Sequence, residues 1–235
     1  MQRSVLVIGA STGIGAYLSC GLSEDGSTVY SMSRRPENEW ENTGSSEKIR
    51  IDISDSANFN RVISQKFTQE SFPRNIINCV GLGGGQLFMA TNASRWREDF
   101  EANFLQPLNA QNELIKKASA YKIPLVSIMF SSLATEVIQT GNSLYGASKV
   151  ALTRAHKGMA LEYQKFGHLC YTLSPSLIEN TPMADNLPEN IRSSYQNHLI
   201  FDAINPDEIL QLVKFLIDNR PKSLSGTTIQ IGGTR

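Results

Sequence analysis

Residues 4–15 read SVLVIGASTGIG, an apolar run that passes directly into a glycine-rich turn. The run predicts a buried β-strand at 4–9, and the pattern after the turn predicts a helix at 13–24. Glycines in such a turn let the backbone bend tightly and approach a pyrophosphate, whose charge is met by the helix N-terminus. A plain strand–helix turn is the alternative interpretation, because the spacing GxxxGxG differs from the GxGxxG fingerprint. The nucleotide-binding candidates are Gly9, Ser11, Thr12, Gly13, Ile14 and Gly15.

Short β-rich runs alternate with longer helical patterns along the chain. Strands are predicted at 4–9, 27–32, 48–53, 74–80, 124–132, 169–174 and 227–231, and helices near 13–24, 56–69, 94–120, 142–166 and 206–219. This alternation favours an α/β fold, a Rossmann-like doubly wound parallel sheet of about seven strands with helices on both faces. No repeat or Pro/Ser-rich linker interrupts the pattern, so residues 1–235 are predicted to form a single domain.

The composition excludes several classes of protein. Of 235 residues, 40% are hydrophobic and 19% are charged, with 22 Lys plus Arg against 22 Asp plus Glu. This balance predicts a folded core and gives no charge footprint for nucleic acid or an anionic membrane. The three cysteines and three histidines are scattered without metal-ligand spacing, and no stretch has the length of a membrane span. We therefore expect a cytoplasmic protein with reduced cysteines and no metal site.

The second predicted strand is followed by Ser33, Arg34 and Arg35, with no carboxylate before Glu37. Selectivity for the adenosine ribose is commonly set here, by an acid for a 2′-hydroxyl or by a basic residue for a 2′-phosphate. Ser33 and Arg34 are therefore predicted cofactor contacts, and NADP(H) is favoured, with NAD(H) as the alternative. The competing interpretation is that both arginines are solvated loop charges.

Residues 145–149 read YGASK at the start of a long predicted helix. Positions four apart share a helix face, so Tyr145 and Lys149 should project side by side. An exposed tyrosine above a solvated lysine is the ordinary interpretation of such a pair. The alternative is an acid–base couple, in which the ammonium lowers the pKa of the phenol towards neutrality.

Several motifs occur together in a fixed order: GASTGIG at 9–15, NCVG at 78–81, Asn103 in EANF, Ser132 in FSS, and YGASK. The ending SGTTIQIGG at 225–233 belongs to the same set. Together they resemble the short-chain dehydrogenase/reductase family, in its single-domain type similar to 3-oxoacyl-acyl-carrier-protein reductase-like carbonyl reductases. Ser132 precedes Tyr145 by the 13 positions common in that family. The resemblance covers essentially the whole chain.

The resemblance implies a catalytic role for four residues. Tyr145 would be the general acid or base that exchanges a proton with the substrate oxygen, a contribution of roughly 10²–10⁴-fold. Lys149 would lower the pKa of the tyrosine and hold the nicotinamide ribose. Ser132 would hydrogen-bond the developing alkoxide. Asn103 would anchor a proton-relay water near Lys149.

Further cofactor contacts follow from the same resemblance. Asp52 and Ile53 would meet the adenine. Asn78, Val80 and Gly81 would pass the adenosine ribose and support the central strand. Pro175 and Ile178 would close over the nicotinamide. For Asp52, a turn or helix-capping carboxylate is the alternative interpretation.

Five positions depart from the family pattern. Ile8 replaces a threonine, a change expected to be tolerated, and Thr12 stands where many NADPH-preferring members carry a basic residue. Ser176 replaces the glycine of the usual Pro-Gly pair, and Thr181 lies one residue later than the family's threonine. Gly232 occupies the place of an aspartate near the last strand, which puts the edge used for tetramer packing in doubt.

The substrate side is predicted from a long, proline-punctuated segment at 176–205, interpreted as a lid. Its candidate lining residues, with a glycine-rich loop at 82–86 opposite, are Met183, Leu187, Tyr195, His198 and Phe201. Simple packing of the lid on the body is the alternative for each of them. The substrate stays open between an acyl-chain ketone, a polyketide-like or quinone-like ring, and a sugar or amino-acid derivative.

The sequence thus predicts an NADPH-dependent oxidoreductase that transfers hydride between nicotinamide and a small carbonyl or secondary-alcohol substrate. The alternatives are an NAD-dependent dehydrogenase acting oxidatively and a non-catalytic NADP(H)-sensing regulatory protein. An extended-type epimerase or a methyltransferase is disfavoured, the first because the chain ends after the last strand and the second because the Tyr–Lys pair would be unexplained. The resemblance also implies a homodimer or homotetramer paired through the helices at 94–120 and 142–166.

Overall fold

The computed structural model describes residues 3–83, 86–187, 192–193, 199–200 and 203–233. These residues form a parallel sheet of seven strands in the order β3-β2-β1-β4-β5-β6-β7. The strands are β1 Ser4–Ile8, β2 Thr28–Ser33, β3 Glu47–Arg50, β4 Asn75–Asn78, β5 Val126–Phe130, β6 Leu169–Pro175 and β7 Thr228–Ile231. The order reverses between β1 and β4, which makes the sheet doubly wound as the sequence predicts.

Helices connect the strands. They are α1 Gly13–Glu24, α2 Ser56–Lys66, α3 Ala93–Phe100, α4 Gln106–Ala120, α5 Ser143–Tyr163, α6 Pro182–Asp185 and α7 Pro206–Asn219. Short 3₁₀ turns occur at Glu37–Glu39, Phe88–Ala90, Leu133–Thr135, Gln164–Phe166 and Lys222–Leu224. Within the described ranges, no helix has both the length and the hydropathy needed to cross a bilayer.

Two apolar layers cover the sheet, and β1 shows how the sequence builds them. Successive strand residues point to opposite faces, so Val5 and Val7 enter the cluster under α1 and α7. Leu6 and Ile8 enter the other cluster, under α2, α4 and α5. All four are at most 1% exposed. The strand is therefore apolar at every position, as expected when helices cover both faces of a parallel sheet.

The predicted elements are confirmed, with one difference that matters for the site. The segment at 94–120 is not one regular helix, because a π-helical turn at Glu101–Leu105 separates α3 from α4. The helix predicted at 56–69 ends at Lys66, and the one at 142–166 ends in a 3₁₀ turn after Tyr163. The strand predicted at 48–53 ends early, since the Asp52 carboxylate accepts a hydrogen bond from the Ser54 N–H at 2.9 Å and starts a turn.

A buried polar network fixes α4 and α5 on the sheet. Gln111 Nε2 donates to Ser127 Oγ at 2.7 Å, and Ser127 Oγ lies 2.9 Å from His156 Nε2. The other ring nitrogen of His156 lies 2.9 Å from Thr172 Oγ1. Burial lowers the pKa of His156 to about 4, so the ring is neutral at physiological pH. The network joins α4, α5, β5 and β6 without burying a charge.

Candidate active site

The predicted site residues gather at one edge of the sheet. Because all strands are parallel, their carboxyl ends meet at the same edge, and ligands of such sheets bind outside it at the point where the strand order reverses. Gly9 follows β1, Ser33 ends β2, Asn78 ends β4, Ser132 follows β5 and Pro175 ends β6.

The turn between β1 and α1 requires glycine at specific positions. Gly9 and Gly13 have φ angles of +80° and +59°, in the left-handed region. A Cβ atom at Gly15 would lie 2.2 Å from the carbonyl oxygen of Gly9, a collision between two backbone segments. In the first turn of α1, the N–H groups of Ile14 and Gly15 have no acceptor within the helix. The turn therefore has the geometry that an anionic pyrophosphate needs.

A cavity beside this turn contains eight of the predicted cofactor residues. They are Gly9, Ser11, Ser33, Arg34, Asp52, Ile53, Val80 and Gly81. The hydroxyls of Ser11 and Ser33 hydrogen-bond each other at 2.9 Å, while Arg34 and Arg35 stand exposed on the rim. The pKa of Asp52 is lowered, first by the N–H of Ser54 and further by the charge of Arg34. Thus Asp52 is both a turn carboxylate and a cavity residue.

Asn78 lies beneath the cavity rather than in its lining. Its side chain is fully buried, where Nδ2 donates to the carbonyl of Pro107 at 3.0 Å and Oδ1 accepts from the N–H of Val80 at 3.2 Å. A Cβ atom at Gly9 would meet that same Val80 nitrogen at 3.0 Å. Asn78 therefore holds the end of β4 against α4 and against the glycine-rich turn.

Tyr145 and Lys149 are buried together, which excludes the exposed-pair interpretation. Lys149 is 3% exposed and Tyr145 is 8% exposed. The ammonium Nζ of Lys149 lies 5.8 Å from the ring centroid of Tyr145 and donates to the carbonyl of Phe130 at 3.2 Å. The hydroxyl of Ser132 faces that of Tyr145 closely enough to lower the pKa of the phenol. The two hydroxyls and the ammonium thus form one continuous polar group.

Asn103 joins this group from the π-helical turn. It is 1% exposed, and its Oδ1 accepts from the N–H of Leu82 at 2.7 Å. A Cβ atom at Gly81 would lie 2.9 Å from Lys149 Nζ and 3.1 Å from Asn103 Oδ1, so the two side chains face the same glycine. π-helical turns occur frequently at functional sites, and this one places an amide beside the buried ammonium.

The pKa of Tyr145 does not follow the expectation drawn from its spacing to Lys149. Burial raises the pKa of the phenol above its ordinary value, and the hydrogen bond with Ser132 offsets only part of this effect. Burial also lowers the pKa of Lys149 to about 8. The expectation was wrong in direction because desolvation disfavours the charged form of both groups. In the chain by itself, the phenol keeps its proton at neutral pH.

Two departures from the family pattern compensate each other. Gly232 has a φ of +106°, and a Cβ atom there would lie 2.2 Å from the Ser176 hydroxyl oxygen. The serine side chain therefore takes the space that a side chain at 232 would need. Ser176 still donates its N–H to the carbonyl of Ile231 at 2.9 Å, so the segment after Pro175 stays attached to β7.

Thr181 lies beside the glycine-rich turn despite its shifted position in the sequence. Asn180, the residue before it, adopts a left-handed conformation with φ of +54°. A Cβ atom at Gly13 would lie 3.6 Å from the Thr181 Cβ atom. Nearby, Ile178 forms an isolated β-bridge with Ile204, which ties both ends of the predicted lid together.

Part of the predicted substrate side is described. A Cβ atom at Gly83 would lie 3.4 Å from Met183 Cγ, so Met183 faces the glycine-rich loop as expected. Tyr195, His198 and Phe201 lie outside the described residues, and the lid prediction for them stays untested.

Two residues near the cavity beside the glycine-rich turn gave no usable signal in the sequence. Glu41 Oε2 accepts from the N–H of Gly13 at 3.0 Å, and its own N–H donates to the carbonyl of Ser11 at 2.9 Å. The loop between β2 and β3 thereby places a carboxylate at the start of α1. Cys79 lines the cavity between Asn78 and Val80, in a position where the sequence suggested only a buried thiol.

Comparisons with known proteins agree with this geometry. The family model for short chain dehydrogenase matches residues 3–192. The chain is 24% identical to (3R)-3-hydroxyacyl-CoA dehydrogenase of Canis lupus familiaris, over 97% of this chain and 94% of that protein. It is 25% identical to 3-oxoacyl-(acyl-carrier-protein) reductase of Staphylococcus aureus, over 99% of this chain and 98% of that protein. The fold is similar to that of 4-hydroxyisoleucine dehydrogenase complexed with NADH, with a TM-score of 0.86 and 20% sequence identity. The match covers 99% of this chain and 98% of that chain.

A doubly wound sheet with a glycine-rich turn after its first strand is typical of dinucleotide-binding folds. The chain belongs to the short-chain dehydrogenase/reductase family. Members of this family use NAD(H) or NADP(H) and act on small molecules that carry C–OH or C=O groups. The turn at Gly15, the cavity and the arginine rim fit such a cofactor. The predicted family, fold class and type of cofactor are therefore confirmed.

Proposed function

We propose that the protein is an NADPH-dependent reductase that converts a carbonyl compound to a secondary alcohol, with Tyr145 as the general acid. The observation that supports this proposal most strongly is the burial of Tyr145 and Lys149 in one polar group with Ser132 and Asn103. A purely structural role offers no reason to bury an ammonium. A general acid, in contrast, must hold its proton next to a substrate in a site that excludes water.

The pKa values divide the roles within the group. The phenol of Tyr145, whose pKa burial raises above its ordinary value, is protonated at neutral pH and donates to the substrate oxygen as negative charge develops there. Ser132 stabilises the same oxygen through its hydroxyl. Lys149, with a pKa of about 8, is mostly protonated at pH 7 and returns a proton to the phenolate. Bound nicotinamide supplies the hydride.

The arginine rim supports NADPH as the cofactor. Arg34 and Arg35 line the cavity directly after β2, the position where the 2′ substituent of the ribose is recognised. An arginine fork matches phosphate geometry and is always charged. The glycine-rich turn, Ser11, Ser33, Asp52 and Ile53 would hold the adenosine half, and Lys149, Pro175 and Ile178 the nicotinamide half.

The similar proteins support an acyl-type substrate. Two relatives that match almost the full chain are named for 3-hydroxyacyl and 3-oxoacyl thioesters. Of the three classes left open by the sequence, we therefore propose the acyl-chain ketone. Met183 and Leu82, which are 45% and 40% exposed near the site, would contact the chain.

The outer face of α5 supports a homodimer or homotetramer. Its exposed positions carry apolar and small residues at helical spacing: Val150 is 48% exposed, Leu161 is 71% exposed, and Gly158 faces open space. Leu105, at the end of the π-helical turn, is a further apolar residue that is 45% exposed. Such a face suits close helix packing against a second copy of the chain.

A cytoplasmic location is proposed from the cysteines. Cys20, Cys79 and Cys170 are free thiols. Free thiols are typical of a reducing compartment.

Changing Tyr145 to Phe should lower carbonyl reduction by about 10²–10⁴-fold, because the proton donor is lost. NADPH oxidation with ethyl acetoacetate measures the rate, and fluorescence titration should show unchanged NADPH binding. Tyr163→Phe is the matched control on the same helix, since its hydroxyl donates only to Asn112 Oδ1 at 2.7 Å. Wild-type turnover by Tyr145→Phe would contradict the assignment. Cofactor binding without turnover of any carbonyl or alcohol by the wild type would favour the sensing protein.

Changing Arg34 to Ala should weaken NADPH binding by roughly tenfold or more, as expected for a lost charge-assisted contact, and leave NADH binding unchanged. Parallel fluorescence titrations with NADPH and NADH measure the two dissociation constants and their ratio. Arg61→Ala is the control, because Arg61 donates to Asn58 Oδ1 on α2. Tighter binding of NADH than NADPH by the wild type would instead favour the NAD-dependent, oxidative alternative.

Changing Val150 to Glu should shift the protein from a dimer or tetramer to a smaller species, because the change buries a charge in the proposed contact. Light scattering at micromolar concentration measures the mass. A monomeric wild type would contradict the proposed homodimer or homotetramer.

A further inference from the structure

A carboxylate from a distant loop occupies the first backbone donor of α1. Glu41 Oε2 accepts from the N–H of Gly13 at 3.0 Å, and the N–H of Glu41 donates to the carbonyl of Ser11 at 2.9 Å. Thr12 precedes the helix, and its side chain makes no capping hydrogen bond in the described part of the chain. Glu41 therefore supplies the cap, and its negative charge lies where the helix dipole stabilises an anion.

The loop that carries Glu41 is fixed on both sides of this residue. We call residues 36–46 the strap. Before Glu41, the buried indole of Trp40 donates to the carbonyl of Arg35 at 2.9 Å. After it, Thr43 is buried as well, whereas Glu41 itself is exposed. The strap therefore holds the Glu41 backbone at the start of α1, and only the side chain needs to rotate for the carboxylate to reach solvent.

The surroundings of this carboxylate are negatively charged. Gly13 and Glu41 line a cavity together with three further carboxylates, those of Glu24, Glu179 and Asp207. Among the described residues, no lysine or arginine lines this cavity. Carboxylates around one cavity repel each other, and the N–H of Gly13 and the helix dipole oppose this repulsion. The Glu41 contact is therefore held by the start of α1 and not by a cation.

The same turn must accept the pyrophosphate of the cofactor. The family uses NAD(H) or NADP(H), and the N–H groups of Ile14 and Gly15 have no acceptor within the helix. Gly13 directly precedes Ile14, and successive Cα atoms are about 3.8 Å apart. A pyrophosphate on these donors would therefore lie within the screening length of about 10 Å from the Glu41 carboxylate. The two anions repel each other at the start of one helix.

We propose that Glu41 is an internal competitor of the cofactor: its carboxylate caps α1 in the cofactor-free protein and turns away when a pyrophosphate binds. The contact weakens the binding of NADPH and of NADH by the same factor, because both carry the pyrophosphate. Differences in affinity between related complexes arise mostly in the dissociation rate, so the contact speeds the release of spent cofactor. This inference rests on the use of a nicotinamide dinucleotide and on neither the substrate nor the direction of the reaction.

The test measures the dissociation constants of NADPH and NADH by isothermal titration calorimetry, with wild type, Glu41→Gln, Glu41→Ala and Glu39→Gln. Glutamine keeps the size and an acceptor oxygen but removes the charge, and alanine removes the whole group. Glu39→Gln is the matched control, because Glu39 is an exposed carboxylate on the same strap. Each titration is repeated at about 50 mM and about 500 mM NaCl, since salt screens exposed charges.

Both Glu41 variants should bind NADPH and NADH about threefold more tightly than wild type at low salt, and this gain should disappear at high salt. The ratio of the NADPH and NADH dissociation constants should stay that of wild type, and Glu39→Gln should bind like wild type. Without cofactor, Glu41→Ala should also melt at a lower temperature, because α1 loses its cap.

Unchanged or weaker cofactor binding by Glu41→Gln and Glu41→Ala would overturn the inference, since Glu41 would then be a structural cap alone. A gain that persists at high salt would overturn it too, because repulsion between exposed charges is screened. Tighter binding of NADH than of NADPH by the wild type contradicts the proposed cofactor preference, and the Glu41 variants still decide the inference.

Discussion

The burial of one ammonium group is the constraint on which the site depends. Lys149 is 3% exposed, and burial lowers its pKa to about 8. Such a cation is stable inside a protein only where polar groups replace its water. The Phe130 carbonyl supplies one of them, and the absence of a side chain at Gly81 leaves room for the Asn103 amide alongside. The buried lysine therefore determines which groups can lie at each of these neighbouring positions.

The fold satisfies this constraint at the edge where parallel strands end. Phe130 ends β5, Gly81 follows β4 and Asn103 lies in the π-helical turn before α4, so three separate segments meet at the lysine. The same edge carries the glycine-rich turn, where the backbone at Gly15 packs directly against the carbonyl group of Gly9. The cavity beside this turn and the polar group around Lys149 therefore lie at the same edge of the sheet, and the polar network around His156 holds α4 and α5 against that sheet.

Much of this arrangement could be predicted from the sequence, because it follows from short-range patterns. Apolar runs indicate the strands, and the four-residue spacing places Tyr145 and Lys149 on one helix face. What the spacing cannot give is the burial of the pair, which reverses the direction of the phenol's pKa shift. The contact of Glu41 with Gly13 joins residues 28 positions apart through an irregular loop, so no local pattern marks it. The π-helical turn is hidden for a similar reason, since its apolar spacing continues that of α3 and α4.

The central claim is that the ammonium of Lys149 is buried within a catalytic polar group, and its titration tests that claim most directly. NMR of the protein with isotopically labelled lysine, with Lys149→Arg to assign the signal, reports the charge of this one side chain as a function of pH. We expect its proton to be lost with a midpoint near the pKa of about 8, because desolvation disfavours the charged form. A midpoint at the ordinary value of 10.5 would contradict the claim, since it would mean that the lysine is solvated and separate from the tyrosine.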